Sequence, residues 1–289
     1  MSVYTTILPW LTKTQKAKVR DLIENTIVKE LRCRNWGDWA NGTAQGGHHR
    51  LIVYDYKGLL LASGVLRYIL GQYNTDLYYR GQRIDWPLLP SIFRTAKTKL
   101  DRTANIAWLG KALRHVKRAQ FDFKGSSAER EALCQHYGLQ TRWLDIIDNI
   151  HSALWFASYE TKEVAKEISA TPKRNHNLGY IYLMAAPKSK NNKYSVIKDL
   201  REKPSQWLRP HIQQAFVVRL KDEMAFSSKF DHLAIMTICV PIEMARKWSN
   251  IETITEQDMF PNESFDDGLR FWNRAKDALN TAGLAKPPK

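Results

Sequence analysis

The most constraining feature of the sequence is a helix, a polar turn, a short extended stretch and a second helix that follow one another in the middle of the chain. Ser126 lies three residues before Glu129, the spacing of a capping box, and predicts where the first helix begins. Gly138 is placed to end that helix in a left-handed turn. Asp148 or Asn149 then predicts the cap of the second helix.

Five polar side chains crowd into the turn between these two helices: Gln135, His136, Thr141, Arg142 and Asp145. Burying that many hydrogen-bonding groups is costly unless each of them finds a partner. The sequence therefore predicts a functional site at this turn.

Two motifs resemble those of a known family, the FRG domain. The first is Gln135-His136-Tyr137-Gly138-Leu139, continued by Thr141-Arg142, Leu144-Asp145 and Ala153-Leu154-Trp155-Phe156-Ala157. The second is Tyr79-Arg80-Gly81-Gln82, followed by the segment from Trp86 to Arg94. The resemblance covers roughly residues 77 to 218 and departs from the family pattern at Ile146-Ile147, where Trp-Thr is expected. A strand carrying Tyr-Arg-Gly, then a turn and a helix rich in Ala and Phe, is also similar, more weakly, to the opening motifs of NAD-dependent ADP-ribosyltransferases.

The resemblance implies an α+β fold with an ADP-ribosyltransferase-like mixed β-sheet core, flanking helices and an N-terminal helical elaboration. We expect that elaboration in residues 1–75 and the FRG domain in residues 76–289. Apolar spacing predicts helices at 14–32, 59–70, 150–168 and 264–279, with at least one more within 93–123. Runs of β-branched and aromatic residues predict strands at 51–56, 76–80, 179–186, 212–220 and 233–240. Polar stretches predict loops at 34–50 and 188–207.

The same resemblance implies an NAD site. Arg80 at a strand end suits a bidentate phosphate anchor, and Gln82, Gln135 and His136 offer hydrogen bonds to ribose hydroxyls or to the carboxamide. Thr141 and Arg142 fall where ADP-ribosyltransferases place a Ser/Thr motif that supports the cofactor. The residues expected to bind NAD are Tyr79, Arg80, Gly81, Gln82, Gln135, His136, Thr141, Arg142 and Asp145.

The expected catalytic residues are Arg80, His136 and Gln213. ADP-ribosyltransferases usually place a glutamate on a late strand, whereas the best candidate strand here, from Arg209 to Val217, carries Gln213 and Gln214. An amide can bond a ribose hydroxyl but brings no negative charge to the cation that forms. Asp145, Glu202 or the target itself could supply that charge, and the sequence does not choose among them.

Charge points to a polyanionic partner. The 289 residues include 44 Lys and Arg against 29 Asp and Glu, a net charge of +15, which favours nucleic acid or an acidic protein. The predicted phosphate-binding residues are Lys111, Arg114, Lys117 and Arg118, with Trp108 or Phe121 available for base stacking. A solvated helix face is the alternative interpretation of this tract.

The sequence disfavours membrane, secreted, disulfide-rich and metal-binding proteins. No apolar run approaches the length of a membrane span, and the amino terminus lacks a secretory signal, so we expect a cytoplasmic protein with no membrane partner. Three separated cysteines predict neither a disulfide framework nor a zinc ribbon. His48 and His49 lack further ligand types nearby, so no metal is expected.

Each candidate residue also has a structural interpretation. Arg80 and Asp145 could form a buried ion pair, His136 could cap its helix, and Arg142 could pair with Glu129 or Glu131. Cys134 is expected to be a small core residue.

Three functions stay open on these grounds. The favoured one is an NAD-dependent ADP-ribosyltransferase-like toxin that modifies RNA or single-stranded DNA, in a toxin–antitoxin or phage-defence setting with an acidic antitoxin. The alternatives are a non-catalytic nucleic-acid-binding module and a regulatory protein-interaction domain.

Overall fold

A computed structural model describes residues 8–40, 49–118, 125–160, 165, 177–188, 194–220, 229–248 and 253–288. The chain divides into two compact units, each made of three segments. Unit 1 comprises residues 1–88, 147–193 and 228–254, and unit 2 comprises residues 89–146, 194–227 and 255–289. The predicted boundary between residues 75 and 76 therefore falls inside unit 1.

Unit 1 contains α1 (Lys13–Leu22), which continues through a π-helical segment (Ile23–Val28) into α2 (Lys29–Cys33). The strands β1 (Gly37–Trp39) and β2 (His49–Val53), the helix α3 (Tyr56–Gln72) and the strand β3 (Thr75–Gln82) follow. The strand β4 (Leu144–Ile147) leads from unit 2 into the helix α6 (Ile150–Ser158). The strand β5 (Leu178–Pro187), a 3₁₀ helix (Lys229–Leu233), the strand β8 (Ala234–Pro241) and the helix α8 (Ile242–Lys247) complete the unit.

The sheet of unit 1 is mixed and has the strand order β1-β2-β8-β5-β3. Strands β2 and β8 run parallel, and the other neighbouring pairs are antiparallel. The pairing of β2 with β8 joins the N-terminal segment directly to the sheet. The predicted α+β class, with a mixed sheet and flanking helices, is confirmed.

Helix α6 lies against this sheet at two glycines. A Cβ on Gly81 of β3 would collide with the carbonyl oxygen of Ala153, and a Cβ on Gly179 of β5 would collide with that of Ala157. Backbone atoms of a packed helix cannot move aside as a flexible side chain can. The glycine of the Tyr-Arg-Gly triplet is thus required by helix–sheet packing.

Unit 2 is built from helices around a short antiparallel ladder. Its helices are α4 (Lys99–Arg118), α5 (Ser127–His136), α7 (Leu208–Ile212), α9 (Glu256–Met259) and α10 (Asp267–Thr281), with a 3₁₀ turn at Ser91–Phe93. The ladder pairs β6 (Ser195–Asp199) with β7 (Ala215–Leu220). Trp108, Ala112 and Val116 of α4 share one buried cluster with Trp272 and Ala275 of α10.

Most predicted elements are confirmed, and three predictions are wrong. The loop predicted at 34–50 contains β1, which pairs with β2, and the loop predicted at 188–207 contains β6. The strand predicted from residue 212 begins only at Ala215, because α7 occupies Leu208–Ile212. The predicted helix 150–168 ends at Ser158 in the described part, and most of residues 161–170, like His48, lie outside the described residues.

Two kinds of feature are absent from the described residues. No helix there combines the length and the apolar character needed to cross a membrane. No group of three or more His, Cys, Asp or Glu side chains in those residues could hold a metal ion.

Gly81→Ala is expected to destabilise the protein by about 3 kcal/mol, because the added methyl overpacks a rigid backbone contact. Gly64→Ala on α3 is the matched control: its Cβ meets nothing within 4 Å, and alanine in a helix is favoured over glycine by about 1 kcal/mol. Denaturant unfolding of both variants measures the difference. Equal stability of the two would contradict the packing role of Gly81.

Candidate functional site

Helix α5 delivers the central residues of the site, and its ends follow from local sequence. Ser126 accepts a hydrogen bond from the backbone N–H of Glu129, and the Glu129 side chain accepts from the N–H of Ser126, which confirms the capping box. Gly138 has φ of 105°, which confirms the left-handed turn. Leu139 N–H then donates to the carbonyl of Cys134. The chain therefore reverses sharply just after His136.

Five residues of unit 2 form one hydrogen-bonded cluster, which we call the polar corner: Gln135, His136, Thr141, Asp145 and Gln213. The Thr141 hydroxyl donates to Gln135 Oε1 and accepts from the N–H of Trp143. Gln135 Nε2 donates to Asp145 Oδ1 at 2.6 Å. Four of the five predicted polar-turn residues thus meet as expected, joined by Gln213.

In the polar corner, the donor and the acceptor can be assigned for the hydrogen bonds that Gln213 forms. The Met259 carbonyl can only accept, so Gln213 Nε2 is the donor at 2.8 Å, and Gln213 Oε1 remains as an acceptor. His136 Nδ1, 3.2 Å from that oxygen, must therefore carry a proton. On its other side, His136 Nε2 lies 3.4 Å from Asp145 Oδ1, an ion-pair distance. The side chain of His136 is 4% exposed, whereas that of Asp145 is 40% exposed.

A second group of buried residues holds His136 in place. Arg209 Nη1 donates to the His136 carbonyl at 3.3 Å, and Arg209 Nε lies 3.4 Å from Asp266 Oδ2. The Tyr137 hydroxyl donates to Asp266 Oδ1. Burial raises the pKa of Tyr137, and the adjacent Asp266 carboxylate adds to this, so the phenol stays protonated. These contacts fix the helix end that positions the imidazole.

Arg142 is tied to a buried acid instead of joining the polar corner. Its Nη2 lies 2.6 Å from Glu131 Oε2, its Nε donates to Glu131 Oε1, and Glu131 is 1% exposed. The pairing with Glu131 confirms the structural alternative for this arginine. Glu129 instead pairs with Lys203, and that contact together with the capping bonds lowers its pKa to about 2.

Unit 1 holds the residues of the Tyr-Arg-Gly motif. Arg80 Nε donates to Gln82 Oε1 at 3.1 Å, and Gln82 Nε2 donates to the Trp86 carbonyl. Tyr79 is 1% exposed, and its hydroxyl bonds Ser63 and Arg67. Tyr79 and Gly81 therefore serve packing, while Arg80 and Gln82 point to the other face of the sheet. The role of Arg80 as a phosphate anchor stays a prediction.

The face with Arg80 carries a polar row that the sequence did not reveal. Arg50, Thr237, Tyr182 and Arg80 are directly opposite one another on β2, β8, β5 and β3. Tyr182 donates to Asp85 Oδ1 at 2.6 Å, and Arg50 pairs with the same carboxylate. Only the strand register brings these distant positions together. No local motif could have identified them.

The predicted nucleic-acid tract lies on the outer face of α4. Lys111, Arg114, Lys117 and Arg118 are all exposed, and no ion pair is formed by any of them with a described residue. Trp108 of the same helix is 6% exposed within the core cluster. It is therefore not available for base stacking, whereas Phe121 lies outside the described residues.

Cys134 is fully buried, and burial raises its pKa. It is a core residue, as the sequence predicted.

These features define a protein with a histidine–carboxylate corner behind a left-handed helix end, together with a strand bearing Tyr-Arg-Gly. The family model of the FRG domain matches residues 75–166 of the chain, which supports the resemblance that the sequence motifs indicated. No match to the chain was found among curated proteins or among solved structures.

Arg142→Ala is expected to cost about 3 kcal/mol, because it leaves the buried Glu131 carboxylate without its partner. Adding Glu131→Gln should recover part of that loss. Arg270→Ala is the control, since Arg270 and Asp267 form an exposed pair that contributes less than about 1 kcal/mol. Equal unfolding free energies for Arg142→Ala and Arg270→Ala would contradict the structural role of Arg142.

Proposed function

We propose that this protein is an ADP-ribosyltransferase-like enzyme that uses NAD as a substrate and modifies a nucleic-acid acceptor, RNA in the first place. The observation that carries the proposal is the Asp145 carboxylate. It is partly exposed, Gln135 Nε2 donates to its Oδ1, and His136 Nε2 lies 3.4 Å from the same oxygen.

The chemistry of NAD cleavage explains why such a carboxylate matters. Breaking the N-glycosidic bond leaves a ribose with oxocarbenium character, and a fixed negative charge near it lowers the barrier. Among the candidates that the sequence left open, Asp145 is oriented by a hydrogen bond from Gln135. Glu202 is exposed. We therefore assign to Asp145 the charge that ADP-ribosyltransferases take from a glutamate.

The other members of the polar corner have supporting roles in this proposal. The Nδ1 of His136 is committed to Gln213, and its Nε2 lies 3.4 Å from Asp145 Oδ1 on the buried side of the carboxylate. Gln135 holds one carboxylate oxygen and is itself held by Thr141. Such preorganisation avoids the cost of reorienting dipoles during the reaction.

The nucleic-acid acceptor is proposed because the protein is strongly basic. The four exposed cations of α4 lie in the same unit as the polar corner, and the chain has a net charge of +15. This surface suits phosphate groups. A toxin or phage-defence role, with an acidic antitoxin that neutralises the basic chain, is consistent with the same charge.

Asp145→Asn is expected to reduce NAD-dependent labelling of RNA at least about a hundredfold, because the amide keeps the shape but loses the charge. Asp277→Asn, an exposed position on α10, is the matched control and should keep full activity. Labelled NAD is incubated with separate pools of RNA, DNA and protein. Label in no pool, with RNA binding intact, would reject the transferase and support a non-catalytic binding module.

Replacing Lys111, Arg114, Lys117 and Arg118 with Ala should weaken RNA binding and flatten its salt dependence. Each phosphate contact contributes about 0.7 to the log–log slope on single strands, so the removal of four such cations should lower the slope by about 3. The control replaces four exposed cations of α1 and α2: Lys13, Lys18, Arg20 and Lys29. Equal slopes for the two quadruple variants would place the RNA surface elsewhere.

A further inference from the structure

Two acids lie at the polar row of unit 1, and they are in different situations. Asp85 accepts from Tyr182 at 2.6 Å and pairs with Arg50, so both of its oxygens have a partner. Burial raises the pKa of Tyr182, and the charge of Asp85 raises it further. The phenol therefore remains a donor to Asp85.

Among the described residues, no ion pair or side-chain hydrogen bond of this kind is seen for Asp231. It belongs to the 3₁₀ helix Lys229–Leu233, is 6% exposed, and its Oδ1 has no hydrogen-bond partner within the described part of the chain. Phe230 and Leu233 of the same helix are buried as well. An ionised carboxylate in such surroundings is costly.

The groups around Asp231 do not offset that cost. Asp85 repels a second negative charge, and the charge of Arg50 on β2 is already used by Asp85. Tyr182 on β5 donates its proton to Asp85, and burial raises the pKa of Cys239 on β8 to about 12, so it stays a neutral thiol. His232 is the next residue in the helix, and its carbonyl accepts from the N–H of Leu8.

We propose that Asp231 is a proton switch in the sheet face that carries Arg80. With its proton the side chain is neutral, and without it a second negative charge lies near Asp85. Ionised Asp231 adds a second negative charge near the carboxylate of Asp85, which pairs with Arg50 on this face. Loss of the proton thus makes the surroundings of Asp85 and Tyr182 more negative. This inference does not depend on the transferase activity.

The effect of pH on stability has a definite sign. Burial, with a further contribution from Asp85, raises the pKa of Asp231 from 3.8 to about 7. The folded protein then binds more protons than the unfolded chain between these two values. The stabilisation is complete below pH 3.8, is lost as pH rises to about 7, and does not change further above it. Across that window the unfolding constant increases by up to about a thousandfold from this group.

Asp231→Asn isolates this contribution, because the amide resembles the protonated acid at every pH. Its melting temperature should exceed that of the wild type above about pH 7, and the difference should shrink steadily toward about pH 4. Asp76→Asn on β3, a partly exposed carboxylate of the same unit, is the matched control and should show a small difference that is independent of pH over this range. A constant difference between Asp231→Asn and the wild type would overturn the proposal.

Carbon-13 NMR of aspartate-labelled wild-type protein provides a test that does not require the variant to fold. Burial also raises the pKa of Asp266, so the signal of Asp231 is the one that titrates near neutral pH in the wild type and is absent in Asp231→Asn. If every aspartate carboxyl of the wild type is already ionised at about pH 6, Asp231 holds no proton there and the proposal is wrong.

Discussion

Helix α6 lies so close to the sheet of unit 1 that only glycine fits at the two points of contact, Gly81 and Gly179. This approach decides which side of β3 faces the helix, because side chains alternate along a strand. Tyr79 and Gly81 must then face inward, and Arg80 and Gln82 must face the other way. The Tyr-Arg-Gly triplet thus has a physical meaning. Gly81 permits the approach of α6, Tyr79 bonds to α3, and Arg80 is thereby directed to the opposite face of the sheet.

Much of the fold could be predicted from local signals in the sequence. Ser126, Gly138 and Asn149 act through hydrogen bonds or backbone angles within a few residues, and the structure has the cap or turn that each predicts. Strands β1 and β6 were missed because they are short and polar, and they exist through pairing with β2 and β7. Such pairing depends on residues far away in the chain, which a local pattern cannot show.

The contacts of the candidate site also fall into two groups: those that local sequence predicts and those that depend on residues far away in the chain. Gln135, His136, Thr141 and Asp145 lie within one turn of the chain, so their meeting could be predicted, whereas the hydrogen bond from Gln213 to Met259 could not. Glu131 was one of two partners considered for Arg142, and only the packing of α5 selects it over Glu129. The pair of Arg50 with Asp85 and the isolation of Asp231 follow from strand register and burial. Neither the Arg50–Asp85 pair nor the burial of Asp231 can be predicted from sequence spacing.

The Met259 carbonyl also explains why a glutamine, and not a glutamate, suits position 213. Gln213 must donate a hydrogen bond to that carbonyl and accept one from His136. A glutamate in its place could accept from His136, but its second oxygen would face the carbonyl oxygen, and two acceptors repel each other. In this chain the amide of Gln213 is therefore the side chain that the surrounding backbone requires.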